Sequence, residues 1–279
     1  MDFNLAILYA QLVAAAYAIA PDNTNNAAGQ TVTVGAGLNY DVVTSIFAND
    51  LSTDMNPHRI QALVSIGLVL QGTASGDVVV AIRGTEGILE WVHDAAFGLV
   101  KCPFLVGAGN TEDGFTDMYT SMRTGIASDS PRIAQALSTL PFKRPVSSMT
   151  ICGHSLGGSL ATLLALDVSA NTPFKGPAVY TYASPRAGDP LFVSTYNQVV
   201  PGTARIANRI DLVPKLPLPP FYDHVGHLIE LNSVQLSIPP KVLVKPELAC
   251  LHILTSYLHL LSLQAGVAPP PLSPACLVL

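Results

Sequence analysis

The sequence predicts an α/β fold in which a mostly parallel central sheet is flanked by helices. Three observations predict it. Short apolar runs alternate with longer helical patterns. One of those runs leads through a glycine-bracketed serine into a helix-forming segment. A single compact polar connection marks one antiparallel pair near the start. The elements follow in order. Phe3 to Ala20 reads as a first helix, stopped by Pro21 and the polar run Asp22 to Asn26. Strand-like runs lie at Leu63–Leu70, Val78–Ile82, Met149–Cys152, Val179–Tyr182 and Arg205–Ile210. Gln71 to Asp77 fits a hairpin connection between the first two of these. Helical patterns cover Gly114–Ile126, Pro131–Leu140 and Ser159–Ala170, and the Pro-rich stretch Pro214 to Pro220 is a loop by composition. No Gly/Ser linker, charge block or repeat divides residues 1–279, so one domain is expected, ending in an apolar, Pro-rich tail over residues 266–279.

Composition narrows the function classes. With 49% hydrophobic and 12% charged residues, the chain has ample material for a core and leaves an apolar surface. Its net charge of -5 supplies no basic footprint, so a nucleic-acid partner is not expected. Cys102, Cys152, Cys250 and Cys276 are too widely spaced for a C-x-x-C metal or redox motif. Cys152 reads as a buried thiol, while a Cys250–Cys276 bridge is compatible with the sequence but not decided by it. No Lys or Arg precedes Arg59, so no signal peptide is expected; secretion then requires a leader already removed, and a cytoplasmic location is the alternative. There is no N-x-S/T glycosylation site. Leu248 to Ala268 carries no Asp, Glu, Lys or Arg, but His252, Thr255, Ser256, His259, Ser262 and Gln264 dilute it, and a transmembrane span is not expected. The final Cys276-Leu277-Val278-Leu279 has the C-a-a-X form without a polybasic stretch upstream and is read as coincidence. The oligomeric state is left open.

The chemistry centres on Gly153-His154-Ser155-Leu156-Gly157-Gly158. It follows the apolar run Met149 to Cys152 and precedes Ser159 to Leu166, the strand–turn–helix setting in which G-x-S-x-G becomes a nucleophile elbow. Glycines at 153 and 157 let strand and helix approach closely. The helix N-terminus then points at the place where an oxyanion forms. A serine nucleophile needs a histidine base and an acid to orient it, in the chain order Ser, Asp or Glu, His. Asp211, closing the stretch Arg205 to Ile210, is the best acid, with Asp189 and Asp223 weaker. His58 and His93 drop out on order, leaving His224, His227, His252 and His259 as bases. His224 and His227 are three residues apart, but no third ligand at a recognisable spacing supports a metal, and none is expected. For the oxyanion, the strand ending in Arg83-Gly84-Thr85 offers Thr85, and the elbow offers the N–H of Leu156.

These pieces resemble the class 3 lipases, the group typified by secreted fungal triacylglycerol lipases and including plant phospholipase A1 enzymes. The matching residues run from Val78 to Leu260: Arg83-Gly84-Thr85, Trp91 and Asp94, Gly114-Phe115, Gly153 to Gly158, Tyr182 to Gly188, Asn208 to Pro214, Tyr222 to Gly226, and His252 with Tyr257-Leu258-His259. The resemblance implies an α/β-hydrolase fold with a lid helix over the active site. It also implies Ser155 as nucleophile, Asp211 as acid, His252 as base, and Thr85 with Leu156 as oxyanion hole. It assigns His224 to a structural turn and His259 to a second, non-catalytic histidine. The lid falls in residues 86–113, where Ile88, Leu89, Trp91, Val92 and Phe97 are its acyl-pocket candidates. Two positions depart from the pattern: Glu112 stands where the family often has histidine, and Asp189 where it often has asparagine. The expected activity is cofactor-free hydrolysis of lipid acyl esters at an interface, with triacylglycerol lipase first. Phospholipase A1 or a feruloyl or aryl esterase is the alternative, and an inactive lipid-binding module a remote one.

Overall fold

The computed structural model describes residues 2–19, 25–49, 63–84, 97–127, 129–233, 245–273 and 276. Its elements in chain order are α1 (Phe3–Ile19), β1 (Thr31–Val34), β2 (Leu38–Asn49), β3 (Leu63–Gly72), β4 (Val78–Ile82), β5 (Leu99–Lys101), β6 (Asn110–Glu112), α2 (Asp113–Ser121) and α3 (Ile133–Ala136). They continue with β7 (Met149–His154), α4 (Leu156–Asn171), β8 (Ala178–Tyr182), α5 (Pro190–Val199), β9 (Thr203–Asn208), a 3-10 turn (Val213–Lys215), β10 (His227–Leu231), α6 (Lys245–His252) and α7 (Leu254–Ala265).

The main sheet has eight strands in the order β1-β2-β3-β4-β7-β8-β9-β10. From β4 onward every neighbour pair is parallel, while β1 to β4 form an antiparallel meander. The polar connection after Gly72 closes the β3–β4 hairpin as expected. Strand β4 shows why its sequence, Val-Val-Val-Ala-Ile, is apolar throughout rather than alternating. Val78, Val80 and Ile82 join one core with Ile151, Leu160, Leu164, Phe115 and Phe192. Val79 and Ala81 join the opposite core with Ala6, Ala10, Val13, Cys152, Tyr182, Tyr257 and Leu261. A central strand covered by helices on both faces has no solvent side to make polar. Helix α1 lies against the sheet through Ala6, Ala10, Leu12, Val13 and Ala16, all fully buried, and small residues there let the helix approach closely.

Several expected elements differ. The pattern at Gly114–Ile126 is helical only to Ser121, because Met122 turns extended and Arg123 bridges to both Phe47 and Arg132. Pro131–Leu140 contracts to the single turn of α3. The strand read at Arg205–Ile210 begins at Thr203 and ends at Asn208. Strands β1, β2, β5, β6 and β10 and helix α5 are additional. Helix α5 carried a signal: Asp189 caps it through the N–H of Phe192 at 2.7 Å, with Pro190 in its first turn. Among the described residues, no helix is long and apolar enough to cross a membrane.

Cys250 and Cys276 form a disulfide between residues 26 apart, and Cys102 and Cys152 are buried free thiols. The bridge ties the tail back to α6, which also carries His252. The tail is held a second time, because Nδ1 of His259 donates to the Pro270 carbonyl at 2.7 Å. Closing a loop of this length is worth about 3 kcal/mol through the unfolded chain. Replacing both cysteines by serine is therefore expected to lower the urea midpoint by an amount equivalent to about 3 kcal/mol. An unchanged midpoint would show that the bridge constrains nothing.

Candidate active site

The site begins with a register. In the parallel pair β4–β7, Ile82 stands opposite Gly153, so the chains leaving the two strands emerge side by side at the carboxyl edge of the sheet. One continues as Arg83-Gly84, the other as His154-Ser155. Ser155 has φ 58° and ψ −130°, a conformation costing about 1–3 kcal/mol for a residue with a side chain. The surroundings hold it there: its N–H donates to the Tyr182 carbonyl at 2.8 Å, and its carbonyl accepts from the Gly158 N–H at 2.8 Å. Close packing makes the turn possible. A Cβ on Gly153 would run into the backbone of Gly157, and one on Gly157 would run into the carbonyls of Ile82 and Arg83. Helix α4 starts immediately after the serine, so the N–H of Leu156 is among the first helical amides, which have no partner within the helix.

Asp211 and His252 are brought to this edge by the last strands and helices. Nε2 of His252 lies 2.8 Å from the Ser155 Oγ, and Nδ1 lies 2.9 Å from the Asp211 Oδ2. Because a carboxylate only accepts, Nδ1 carries the hydrogen, and the bare Nε2 accepts the serine hydroxyl. Asp211 is itself held: Tyr257 donates its hydroxyl to Oδ2 at 2.8 Å, and the Val213 N–H donates to Oδ1 at 3.0 Å. Tyr257 in turn accepts the Asn208 N–H at 2.9 Å. Burial, then the neighbouring Asp211, raises the Tyr257 pKa well above its ordinary value, which keeps it a donor. Asn208 also fastens α6, its Nδ2 donating to the Leu251 carbonyl at 3.1 Å. Ser155, Asp211 and His252 expose only 1%, 2% and 4% of their surfaces, so the three hydrogen-bonded side chains are buried together.

The remaining sequence candidates fall elsewhere. Asp189 is the α5 cap. Asp223 bridges to Gly188, and its Oδ1 accepts the His224 N–H at 2.7 Å. His224 donates from Nε2 to the Pro214 carbonyl at 2.6 Å, fastening the loop that follows Asp211. Burial, with Arg205 and Arg186 adding to it, pushes its pKa down to about 3. His227 is exposed on β10. Thr85, Ile88, Leu89, Trp91 and Val92 lie outside the described residues. Phe97 is half-buried and meets Tyr222 edge-on, ring centroids 6.4 Å apart. Among the described residues, no three His, Cys, Asp or Glu side chains are grouped to hold a metal. Sequence reasoning missed the support given by Tyr257 and Asn208, although both lie inside the quoted motif pieces.

Glu112 has a structural task. It is 3% exposed and caps α2, Oε2 accepting the Phe115 N–H at 2.7 Å. Burial pushes its pKa up to about 7 from 4.5, against the opposing pull of the Phe115 and Gly114 N–H groups. A raised carboxyl pKa means the folded state binds the extra proton, so this contribution to stability is full below 4.5 and is lost as pH rises to about 7. The loss amounts to about 3 kcal/mol. Glu112→Gln keeps a capping oxygen without the charge. It is expected to gain stability over the parent at pH 8 but little at pH 4, read as urea midpoints. An equal difference at both pH values would remove the buried carboxyl from this account.

With the geometry in place, the comparisons are specific. The profile of the lipase (class 3) family matches residues 79–221, more than half of the chain. The chain belongs to the class 3 lipases. It is 34% identical over 212 residues to phospholipase A1-IIgamma of Arabidopsis thaliana, covering 68% of this chain and 50% of that protein. It is 29% identical over 218 residues to secreted mono- and diacylglycerol lipase 1 of Fusarium solani, covering 77% and 59%. The chain thus spans little more than half the length of these relatives. In structure it resembles the Lip2 lipase of Yarrowia lipolytica, with TM-score 0.61, 19% identity, and 82% and 79% of the two chains covered. The triacylglyceride lipase of Rhizomucor miehei gives 0.57, 21%, and 82% and 80%. At those identities the likeness establishes the α/β-hydrolase fold.

Proposed function

We propose that this class 3 lipase hydrolyses lipid acyl esters through Ser155, His252 and Asp211. The observation that carries the reading is the continuous chain from the Ser155 hydroxyl through His252 to Asp211, at 2.8 and 2.9 Å. Ser155 attacks the ester carbonyl while Nε2 of His252 takes its proton. Asp211 stabilises the imidazolium and fixes the tautomer. The tetrahedral oxyanion is held by the N–H of Leu156 and by Thr85, which can add its hydroxyl. The protonated His252 then gives its proton to the departing alcohol, leaving an acyl-serine. Water, deprotonated by the same histidine, releases the acid and restores the serine.

Acylglycerols are the first substrate class. A nucleophile only 1% exposed fits a site that opens at an oil–water surface, with Ile88, Leu89, Trp91, Val92 and Phe97 as its lid and acyl pocket. A phospholipase A1 is the second reading, because the Arabidopsis relative at 34% identity carries that name. The test compares initial rates on a short soluble ester, an emulsified long-chain triacylglycerol and phosphatidylcholine vesicles, with Ser155→Ala as blank. A rise in rate as the triacylglycerol passes its solubility limit is the expected result. Activity on vesicles alone gives the phospholipase reading, and activity on the soluble ester alone removes the lid.

A further inference from the structure

Tyr17, near the end of α1, reaches the elbow from the opposite core. Its hydroxyl oxygen accepts the Gly84 N–H at 2.8 Å and lies 2.8 Å from Nδ1 of His154. The other nitrogen of that ring, Nε2, lies 2.8 Å from the carbonyl oxygen of His252. These contacts fix where the hydrogens are. A carbonyl oxygen can only accept, so Nε2 of His154 carries the hydrogen. A neutral imidazole then has a bare Nδ1, which accepts the Tyr17 O–H. The ring is neutral, because burial, and after it the neighbouring His252, pushes its pKa down to about 3. The chain therefore runs one way, from the Gly84 N–H through Tyr17 and His154 to the His252 carbonyl.

Both ends of this chain are backbone groups that secondary structure leaves unpaired. Gly84 lies beyond the last residue of β4, and His252 is the last residue of α6, where carbonyls lack intrahelical donors. Each end also adjoins a part of the site. Gly84 precedes Thr85, His154 precedes Ser155, and the His252 ring lies tilted at 40° to that of His154 with centroids 5.0 Å apart. We propose that Tyr17 and His154 are positioning residues that hold the oxyanion-side chain, the nucleophile and the backbone of the base in one register. The proposal rests on the triad reading above. Asp211 fixes the ring of His252, whereas this chain fixes the main chain that carries it.

The test uses the intact protein and counts reactive serines with a phosphonate reagent, so that turnover refers to competent sites. Tyr17→Phe removes one oxygen and is expected to lower kcat roughly 10- to 100-fold with KM little changed, as misplaced catalytic groups do. His154→Gln keeps a donor where Nε2 stood, whereas His154→Asn keeps an acceptor near Nδ1 but loses the donor to His252. The glutamine variant is expected to retain more kcat than the asparagine variant at matched thermal stability. A purely structural role would move Tm and leave kcat per titrated site unchanged. Wild-type kcat in Tyr17→Phe, or equal kcat in the two His154 variants, overturns the proposal. If Tyr17→Phe does not fold, the His154 pair decides. The triad reading fails separately, if Ser155→Ala keeps activity.

Discussion

Ser155→Ala is expected to lose about a hundred-thousand- to million-fold in kcat, as removal of a triad serine does elsewhere, while its thermal transition stays near that of the parent. The two halves of the expectation have different sources. The hydroxyl bonds Nε2 of His252 at 2.8 Å, so its loss ends nucleophilic attack. Alanine keeps the same Cβ and the same backbone bonds to Tyr182 and Gly158, so the strained elbow is neither released nor worsened. The measurements are turnover of a soluble ester and a thermal melt. Substantial remaining hydrolysis would move the nucleophile elsewhere, and a collapsed melt would make the serine a structural residue.

Two positions earlier in the motif the balance reverses. Gly153→Ala is expected to destabilise the fold by more than about 4 kcal/mol, the range reserved for overpacking against rigid partners. For a domain of this size that corresponds to a Tm lower by roughly 10 °C or more. The added Cβ meets the Gly157 carbonyl and the Gly158 nitrogen, which are backbone atoms of the first turn of α4 and cannot rotate away. Relief would require α4 to move off β7, and α4 is buried along nearly its whole length. A melt within a few degrees of the parent would show that the strand–helix corner is looser than its geometry indicates. Taken together, the two variants separate the chemistry of the hexapeptide from its architecture.

Stability has an acid limit as well as the loss toward neutral pH attached to Glu112. His154 and His224 are both pushed down from 6.5 to about 3, chiefly by burial. In the unfolded chain they take up protons as pH falls through 6.5, and in the folded protein they do not, so stability falls between about 6.5 and 3. The histidines and Glu112 thus pull in opposite directions across the weakly acidic range.

What could be read in advance follows from how local each signal is. The elbow was legible because strand, glycine, serine, glycine and helix are contiguous, and Asp211 was legible as a carboxylate closing an apolar run. The β3–β4 hairpin was equally local. Strand β2, twelve residues long, was not read because it interleaves polar Asn39, Asp41, Thr44 and Ser45 and owes its pairing to β1 and β3. Strand β10, Leu228 exposed and Ile229 half-buried, has too little apolar pattern to stand out before β9 pairs with it. The helix pattern at Gly114–Ile126 overran because Met122 turns extended and Arg123 is taken up by bridges to Phe47 and Arg132 rather than because a stop residue ends it.

The base shows the same division. Order along the chain left His224, His227, His252 and His259 open, and resemblance to the family chose among them. In the structure, His224 is spent on the Pro214 carbonyl and His259 on the Pro270 carbonyl, while His252 spans Ser155 and Asp211. Those bonds join residues as many as 97 positions apart, and no spacing rule reaches that far. The sequence by itself determined the alternation of strands and helices, the glycine-bracketed corner at Ser155 and Asp211 as the first candidate acid, because each depends on neighbours in the chain. Only the tertiary structure places His252 between Ser155 and Asp211, Tyr257 and Asn208 around that carboxylate, and Tyr17 of the first helix against the elbow. Packing of both helical layers onto one sheet creates those contacts, and until it forms, the groups involved have no fixed distance from one another.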